Sequence, residues 1–115
     1  MRRGDVVLID LDPARPGESA KTRPAVLVSN DGANRTGEQL GRGVVTVVPL
    51  TTNVRRVYAF QVLLPAGSAG LRRASKAQAE QVRSVSVDRI VDTIGHLELE
   101  SMRDLDDALR LHLDL

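Results

Sequence analysis

The feature that most constrains the fold is a series of short apolar segments, each bounded by glycine, proline or clustered polar residues. The strongest is Gly43–Leu50, GVVTVVPL, whose β-branched residues favour a pleated strand, and Pro49 indicates an edge or a bulge near its end. Alternation of apolar and polar residues predicts a half-buried strand over Val6–Leu11. The continuous apolar run Ala25–Ser29 predicts a central strand buried on both faces.

Four further segments continue this pattern towards the C-terminus. We predict strands over 57–64, 75–79, 82–87 and 89–97, with a tight turn around Glu80–Gln81 and an interruption at Gly95. Segment 30–43, NDGANRTGEQLGRG, is rich in turn-forming residues and has room for a short helical turn. The chain is therefore predicted to be mainly β up to residue 97.

In the last residues the spacing of apolar positions changes from the two-residue repeat of a strand to the repeat of about 3.6 residues that is typical of a helix. Apolar positions recur on one helical face, made of Met102, Leu105, Ala108, Leu109 and His112. Asp106 and Arg110 are spaced for a favourable i,i+4 pair. Several strands followed by one helix predict an α+β fold, in which a small curled antiparallel barrel carries a C-terminal helix, as one domain over residues 1–115.

Composition excludes several classes of site. The 115 residues include one Phe, one Tyr, no Trp and no Cys, so the core must be aliphatic, and neither disulfides nor thiolate metal sites are possible. Two isolated histidines, His96 and His112, do not make a zinc site. The basic start is interrupted by Asp5, Asp10 and Asp12, unlike a signal peptide, and no apolar run reaches membrane-spanning length. A cytoplasmic location is expected.

The net charge of +1 conceals an asymmetry between the two parts of the chain. Residues 1–83 hold 13 Lys and Arg against 7 Asp and Glu, a balance of +6, whereas residues 84–115 hold 3 against 8, a balance of −5. A basic body favours an anionic partner such as a nucleic acid. The acidic tail argues against non-specific coating of DNA, and a solvated helix face also explains it.

No familiar catalytic signature is present: the chain lacks a phosphate-binding P-loop, an HExxH motif and a nucleophile elbow. What remains is a set of polar residues near the ends of predicted strands. These residues are Glu18, Arg23, Asn30, Thr51, Thr52, Ser75, Gln81 and Arg83.

The charged loop from Asp12 to Pro24 joins two predicted strands, a common location for function, although an ordinary solvated connection would have the same composition. Arg23 precedes Pro24, so its backbone is restricted to extended conformations and the following strand can aim its guanidinium. A fixed, permanently charged fork suits a phosphate and the charge that builds on it during transfer. The alternative is an exposed arginine or a structural ion pair with Asp10 or Asp12.

Other polar residues allow two interpretations each. Thr51 follows the strongest strand and can offer its hydroxyl to a phosphate, or it can be a turn-forming threonine. Glu18 can accept a proton or a base-edge hydrogen bond, or it can be a solvated loop carboxylate. Gln81 and Arg83 alternate with Val82 and therefore face away from the core, as a binding surface or as solvent-exposed polar residues.

The two aromatic residues, Tyr58 and Phe60, share one face of a predicted strand. They are the only aromatic residues that could stack on a nucleobase, although core packing explains Phe60 better. His96 and His112 are interpreted as a strand-end histidine and a helix-face histidine rather than as catalysts.

Five segments in order resemble the MazF/PemK-type toxins of type II toxin–antitoxin systems. The resemblance extends from Gly4 to Leu115, and the five at this spacing are far more specific than any one alone. The segments are RGDVVLIDLDP, KTRPAVLVSND at 21–31, VVTVVPLTTN at 44–53, KAQAEQVRSVSVDRI at 76–90, and IGHL followed by DLDDALRLHLDL.

The resemblance implies an SH3-like or barrel-like antiparallel sheet with a C-terminal helix, assembled as a homodimer. It implies an mRNA interferase, a ribosome-independent and metal-independent endoribonuclease that cleaves single-stranded RNA at short motifs. The substrate's own 2′-hydroxyl attacks, leaving a 2′,3′-cyclic phosphate and a 5′-hydroxyl. No cofactor or metal is then required, and the protein only has to transfer protons and stabilise the phosphorane.

By position, the resemblance implies that Arg23, Thr51 and Glu18 are the catalytic residues, with Glu18 acting in catalysis or in RNA contact. Since an arginine guanidinium stays protonated, electrostatic stabilisation suits Arg23 better than proton donation. The residues expected to line the RNA groove are Asn30, Ser75, Gln81 and Arg83.

The chain departs from the family pattern in two places. Pro16-Gly17-Glu18 replaces the usual Gly-Ser-Glu, and Val7, Leu8 and Ile9 stand where many members carry aromatic residues. Both departures bear on the RNA sequence that is cut more than on the activity itself.

The implied partner is a cognate acidic, MazE-like antitoxin whose disordered C-terminal segment folds over the basic groove. Two alternatives to an endoribonuclease stay open from the sequence. One is a non-catalytic toxin of the same fold that binds DNA gyrase, and the other is a nucleic-acid-binding regulator that uses the barrel as a module.

Overall fold

The structure, a computed structural model, describes residues 1–10 and 22–115. Within these residues the chain forms seven strands, two α-helices and two single 3-10 turns, at Ala79–Gln81 and Val87–Arg89. The strands are β1 Asp5–Asp10, β2 Thr22–Leu27, β3 Val44–Thr51, β4 Gln61–Leu64, β5 Ser75–Gln78, β6 Arg83–Ser86 and β7 Ile90–His96. The helices are α1 Asp31–Leu40 and α2 Leu99–Leu113.

All seven strands belong to one antiparallel sheet. Six of them follow the order β4-β5-β3-β2-β1-β7, and β6 pairs with β3 beside this path. The long strand β3 is shared along one edge: its first half pairs with β6 and its second half with β5. Among the described strands, β4 and β7 do not pair, so the sheet is curled but not closed. The predicted α+β fold, a curled antiparallel sheet with a C-terminal helix, is confirmed.

Two glycines bring a loop against the open side of the sheet. A Cβ at Gly70 would lie 2.0 Å from the Ile94 carbonyl oxygen, and one at Gly95 would lie 2.2 Å from the Ala69 carbonyl oxygen. Such an approach to a carbonyl group is possible only for a residue that has no Cβ. The segment that follows β4 is therefore held against β7, and the residues after Gly70 are held with it.

The core has two parts, one on each face of β1–β3. Even-numbered residues of these strands pack with β4, β5 and helix α2, whose Leu105 and Ala108 are buried. Odd-numbered residues form a smaller cluster with Val45, Val85 and Ile90. Asp106 does not pair with Arg110 as predicted, because it is 2.6 Å from Arg3, and Arg110 instead contacts Asp107.

Segment 30–43 contains a ten-residue helix, Asp31–Leu40, so the short helical turn predicted within a turn-rich segment was too short. Asn30 caps its N-terminus by accepting a hydrogen bond from the Ala33 backbone, and Gly41 ends it in the left-handed conformation. Gly37, which lowers helix propensity, is needed for packing: a Cβ there would lie 2.8 Å from Val87.

The strand predicted over 57–64 is only Gln61–Leu64. The preceding residues form a turn in which the Gln61 backbone donates to the Tyr58 carbonyl at 2.9 Å. The Gln61 side chain accepts in return from the Tyr58 backbone at 3.1 Å. Reciprocal bonds of this kind satisfy the backbone locally and compete with strand pairing.

Candidate active site

Arg23 lies inside β2, which begins at Thr22, so Pro24 is the third residue of the strand rather than its start. Arg23 is paired with Ile9 on one side. On the other side, β2 pairs with β3, and the last pair in this direction is Ala25 with Pro49. If the same register is continued by two residues on each strand, Arg23 comes opposite Thr51. The guanidinium of Arg23 is exposed and makes no hydrogen bond or ion pair with any residue that the structure describes, Asp10 included.

Thr51 ends β3 and is half-buried. Its hydroxyl oxygen accepts a hydrogen bond from the Asn53 backbone at 3.2 Å, as a turn-forming threonine does. A hydroxyl that accepts one bond keeps its proton to donate elsewhere. The structural and the functional interpretations of Thr51 are therefore compatible.

Lys76 extends this row across the sheet, because it is paired directly with Thr51 in the β3–β5 register. Residues opposite each other in antiparallel strands point to the same face, so Arg23, Thr51 and Lys76 share one face. Lys76 is only 8% exposed, and its ammonium donates to the Arg56 carbonyl at 2.7 Å. A buried cation is thus held next to the candidate catalytic threonine.

A groove of about 440 Å³ lies at the same end of the sheet but on the opposite face, since its strand residues Leu8 and Pro24 are paired with each other and alternate with Arg23 along β2. Its walls come from β1, β2, β5, β7 and the two loops at this end of the sheet, and they carry the exposed side chains of Arg72 and Arg73. The lining residues are Leu8, Pro24, Thr52, Gly70, Leu71, Arg72, Arg73, Ser75 and Ile94.

Sequence reasoning missed Arg72 and Arg73. The paired arginines follow Gly70, but their location depends on the backbone contact of Gly70 with β7, which no local pattern reveals. Ser75 was expected to line the RNA groove. It is among the residues that line this groove, but it is 2% exposed and its hydroxyl donates to the Arg73 carbonyl at 3.1 Å. This bond holds the backbone of Arg73 at the groove.

The other predicted RNA-binding residues lie farther along the sheet. Arg83 is exposed and paired with Val47, four positions before Thr51 on β3. At about 3.3 Å per strand residue, this separation is roughly 13 Å. Gln81 is exposed at the end of the 3-10 turn between β5 and β6, and Asn30 is exposed at the N-terminus of α1. The structure does not bring these three together with Arg23.

Glu18 and the rest of segment 11–21 lie outside the described residues. Of the two histidines, His96 ends β7 with Nδ1 2.8 Å from the Asp5 carboxylate, and His112 lies exposed on α2. The described residues contain no group of three His, Asp or Glu side chains placed to hold a metal ion. None of the described helices is long and apolar enough to cross a membrane.

Comparison with known proteins identifies the family. The sequence pattern of the family described as PemK-like, MazF-like toxin of type II toxin–antitoxin system matches residues 2–113. The chain belongs to this toxin family. It is 55% identical to endoribonuclease MazF9 of Mycobacterium tuberculosis over 115 residues, which cover 100% of this chain and 98% of that protein.

A more distant relative agrees. Endoribonuclease EndoA of Bacillus subtilis is 31% identical over 116 residues, covering 100% of this chain and 96% of that protein. The prediction of an enzyme is confirmed, since both full-length relatives are named endoribonucleases. The chain is a MazF-type toxin of the endoribonuclease class.

Solved structures support the same fold. An endoribonuclease in complex with its cognate antitoxin from a mycobacterial species superimposes with a TM-score of 0.78 at 25% identity, covering 100% of this chain and 96% of that one. MazF in a MazE–MazF crystal structure from Deinococcus radiodurans gives a TM-score of 0.74 at 20% identity, covering 100% and 96%. The latter shows likeness of fold alone.

Proposed function

We propose that this toxin cleaves single-stranded RNA without a metal ion, by attack of the substrate's 2′-hydroxyl on the adjacent phosphate. The observation that carries the proposal is the register that leads Arg23 and Thr51 to one face of the sheet, at the end where Arg72 and Arg73 also lie, in a groove on the other face. A site with fixed cations and a hydroxyl donor, but no protein nucleophile, suits a reaction in which the RNA supplies the attacking group.

In this reaction the bond from the 2′-oxygen to phosphorus forms and the bond from phosphorus to the 5′-oxygen breaks. The 2′-hydroxyl gives its proton to a base, and the leaving 5′-oxygen takes a proton. The products are a 2′,3′-cyclic phosphate and a 5′-hydroxyl. Arg23 stabilises the charge on the pentavalent phosphorane, and the Thr51 hydroxyl donates a hydrogen bond to a non-bridging oxygen. Glu18 acts in proton transfer or in RNA contact.

The RNA extends from this point along the same face of β3. Arg83, roughly 13 Å from Thr51 by the strand rise, is placed for a phosphate a few nucleotides away. Asn30 and Gln81 contact neighbouring bases or phosphates, and Ser75 acts by holding Arg73. Sequence preference then depends on the described groove and on segment 11–21.

The proposed partners are a second copy of this chain, as a homodimer, and a cognate MazE-like antitoxin. An acidic antitoxin segment would compete with RNA for the basic groove. The mycobacterial structural neighbour, solved with its cognate antitoxin, supports a partner of this kind. We place the protein in the cytoplasm, where its RNA substrate is found.

The decisive test is incubation of the purified protein with a long single-stranded RNA in excess EDTA, followed by mapping of both new ends. We expect discrete cuts that carry cyclic phosphate and 5′-hydroxyl ends. Intact RNA would contradict the proposal, and inhibition of DNA gyrase by the same preparation would then favour the non-catalytic toxin. Cleavage that EDTA abolishes would contradict the metal-independent mechanism.

A further inference from the structure

The two aromatic side chains form a stacked pair at the surface. The rings of Tyr58 and Phe60 are 5.3 Å apart between centroids and inclined by 3°. Tyr58 remains 45% exposed, although a stacked aromatic pair is ordinarily buried. Nothing in the packing of the described core requires Tyr58 to be aromatic.

Two cations surround the Tyr58 ring. The guanidinium carbon of Arg56 is 5.5 Å and the Lys76 ammonium is 6.0 Å from the ring centroid. Arg56 also donates to the Tyr58 hydroxyl at 3.3 Å and is itself exposed. An exposed aromatic ring with two cations over it suits a ligand that combines a planar ring with a negative charge, as a nucleotide does.

The turn that carries Tyr58 is held in place from both sides. Gln61 exchanges hydrogen bonds with the Tyr58 backbone, and its side-chain amide donates to Glu80 at 2.7 Å. On the other side, Lys76 donates to the Arg56 carbonyl at 2.7 Å. A ring fixed before binding loses little conformational entropy when a ligand stacks on it.

Lys76 also connects the ring to the candidate active site. It is paired with Thr51 across β3 and β5, and its ammonium lies over the Tyr58 ring. The aromatic pair therefore lies next to the face on which Thr51 and Arg23 are placed. A strand of RNA that continues from Thr51 past Lys76 therefore reaches Tyr58.

We propose that Tyr58, supported by Phe60, is a stacking subsite for one unpaired nucleobase, and that Arg56 contacts the phosphate of the same nucleotide. The inference rests on the proposed function for the identity of the ligand as single-stranded nucleic acid. Stacking tolerates any base, so the subsite contributes affinity and position rather than base identity.

The chain itself supplies a specific probe. It has one tyrosine and no tryptophan, so intrinsic tyrosine fluorescence reports on Tyr58 alone. The ligand is a short single-stranded DNA, which lacks the 2′-hydroxyl and is not cut, and the control is an abasic strand of equal length. Binding is followed independently by anisotropy of an end label, and N-acetyltyrosinamide corrects for absorption by the DNA.

We expect the base-carrying strand to quench Tyr58 and the abasic strand to bind without quenching it. Saturated binding of the base-carrying strand without quenching would overturn the subsite, as would equal quenching by both strands. Absence of binding by either strand would also overturn it. Since neither strand is cut, these results are separate from the RNA cleavage assay that tests the proposed function.

Substitutions give a second measurement. Tyr58→Ala is expected to weaken strand binding roughly 5- to 150-fold, the range found for loss of one aromatic stacking partner, whereas Tyr58→Phe keeps the stack and nearly normal affinity. Val57→Ala, at a neighbouring position that is 39% exposed, is the matched control. Equal affinity of Tyr58→Ala and Val57→Ala, with unchanged melting temperatures, would contradict the subsite.

Discussion

The two ends of β3 use the same kinds of polar residue in opposite ways. At the Val44 end, Asn34 is fully buried and its amide donates to the Ser29 carbonyl at 2.9 Å. The Ser29 hydroxyl in turn donates to Asn34 and accepts from the Thr46 backbone. At the Thr51 end, the Arg23 guanidinium has no partner among the described residues, and the Thr51 hydroxyl keeps its proton.

This difference separates structural polar groups from groups available to a ligand. Buried polar groups are almost always hydrogen-bonded, and the network around Asn34 satisfies this requirement and fixes helix α1 on the sheet. An exposed arginine that is held by strand pairing, and whose guanidinium makes no hydrogen bond or ion pair with the described residues, contributes little to stability through its charge. Changes at the two ends should therefore affect different measurements.

The largest expected effect is on cleavage by Arg23→Ala. Removing the cation that faces the phosphorane should lower the rate on the order of 10²–10³-fold, as loss of one oxyanion donor does. Thermal unfolding should be nearly unchanged, because the Arg23 side chain is exposed and makes no hydrogen bond or ion pair with any described residue. Arg35→Ala, an exposed arginine on α1, is the control for lost charge. A large fall in the melting temperature of Arg23→Ala would identify Arg23 as structural.

At the opposite end, Asn34→Ala should lower the free energy of unfolding by about 2–3 kcal/mol, because the Ser29 groups lose their buried partner. The measurement is urea unfolding, with cleavage assayed well below the midpoint. Gln39→Ala, exposed on the same helix, should change stability by less than about 0.5 kcal/mol. If folded Asn34→Ala loses cleavage activity, the Val44 end of β3 is not purely structural, and the assignment of different roles to the two ends is wrong.

A smaller effect is expected from Thr51→Ala, about a tenfold loss of cleavage rate, since a hydrogen bond to a charged oxygen is worth about 1.5 kcal/mol at the lower end of its range. Thr51→Ser should retain most activity because it keeps the hydroxyl. Thr52→Ala, at the next and more exposed position, should have little effect. If single-turnover rates are equal for Thr51→Ala and Thr52→Ala, Thr51 does not take part in the reaction.

The smallest effect concerns Asn30, which caps α1 and is also proposed to contact RNA. Asn30→Ala should cost about 1 kcal/mol of stability through loss of the cap. Asn30→Asp caps equally well but adds a negative charge, so it should keep the melting temperature and weaken RNA binding several-fold. Wild-type RNA affinity in Asn30→Asp would restrict Asn30 to its structural role.

Much of the fold was predictable because it depends on local periodicity. The β-branched run in β3, the alternation in β1 and the change of period in α2 each appear where the sequence predicts them. Helix α1 was predicted only as a short helical turn although its cap signals, Asn30 and Gly41, are present, because the interior glycines lower helix propensity. Gly37 is tolerated for a tertiary reason, the close approach of Val87.

The candidate site was predictable only in part, for a similar reason. Arg23 and Thr51 flank strong strands, and the Arg-Pro step restricts the backbone at Arg23. Arg72 and Arg73 carry no such signal, and they reach the groove only because Gly70 and Gly95 let two backbones touch. Ser75 was identified as a groove residue, but only the structure shows its hydroxyl bonded to the Arg73 carbonyl.

By itself the sequence determined the strand-rich body, the terminal helix, the aliphatic core and the absence of cysteine chemistry, because composition and residue spacing act locally. Only the tertiary structure decided which polar groups are hydrogen-bonded within the fold and which remain available to a ligand. Strand register leads Arg23 towards Thr51 and pairs Lys76 with Thr51, although these residues are far apart in the chain. Register depends on contacts between distant segments, and no local pattern contains them.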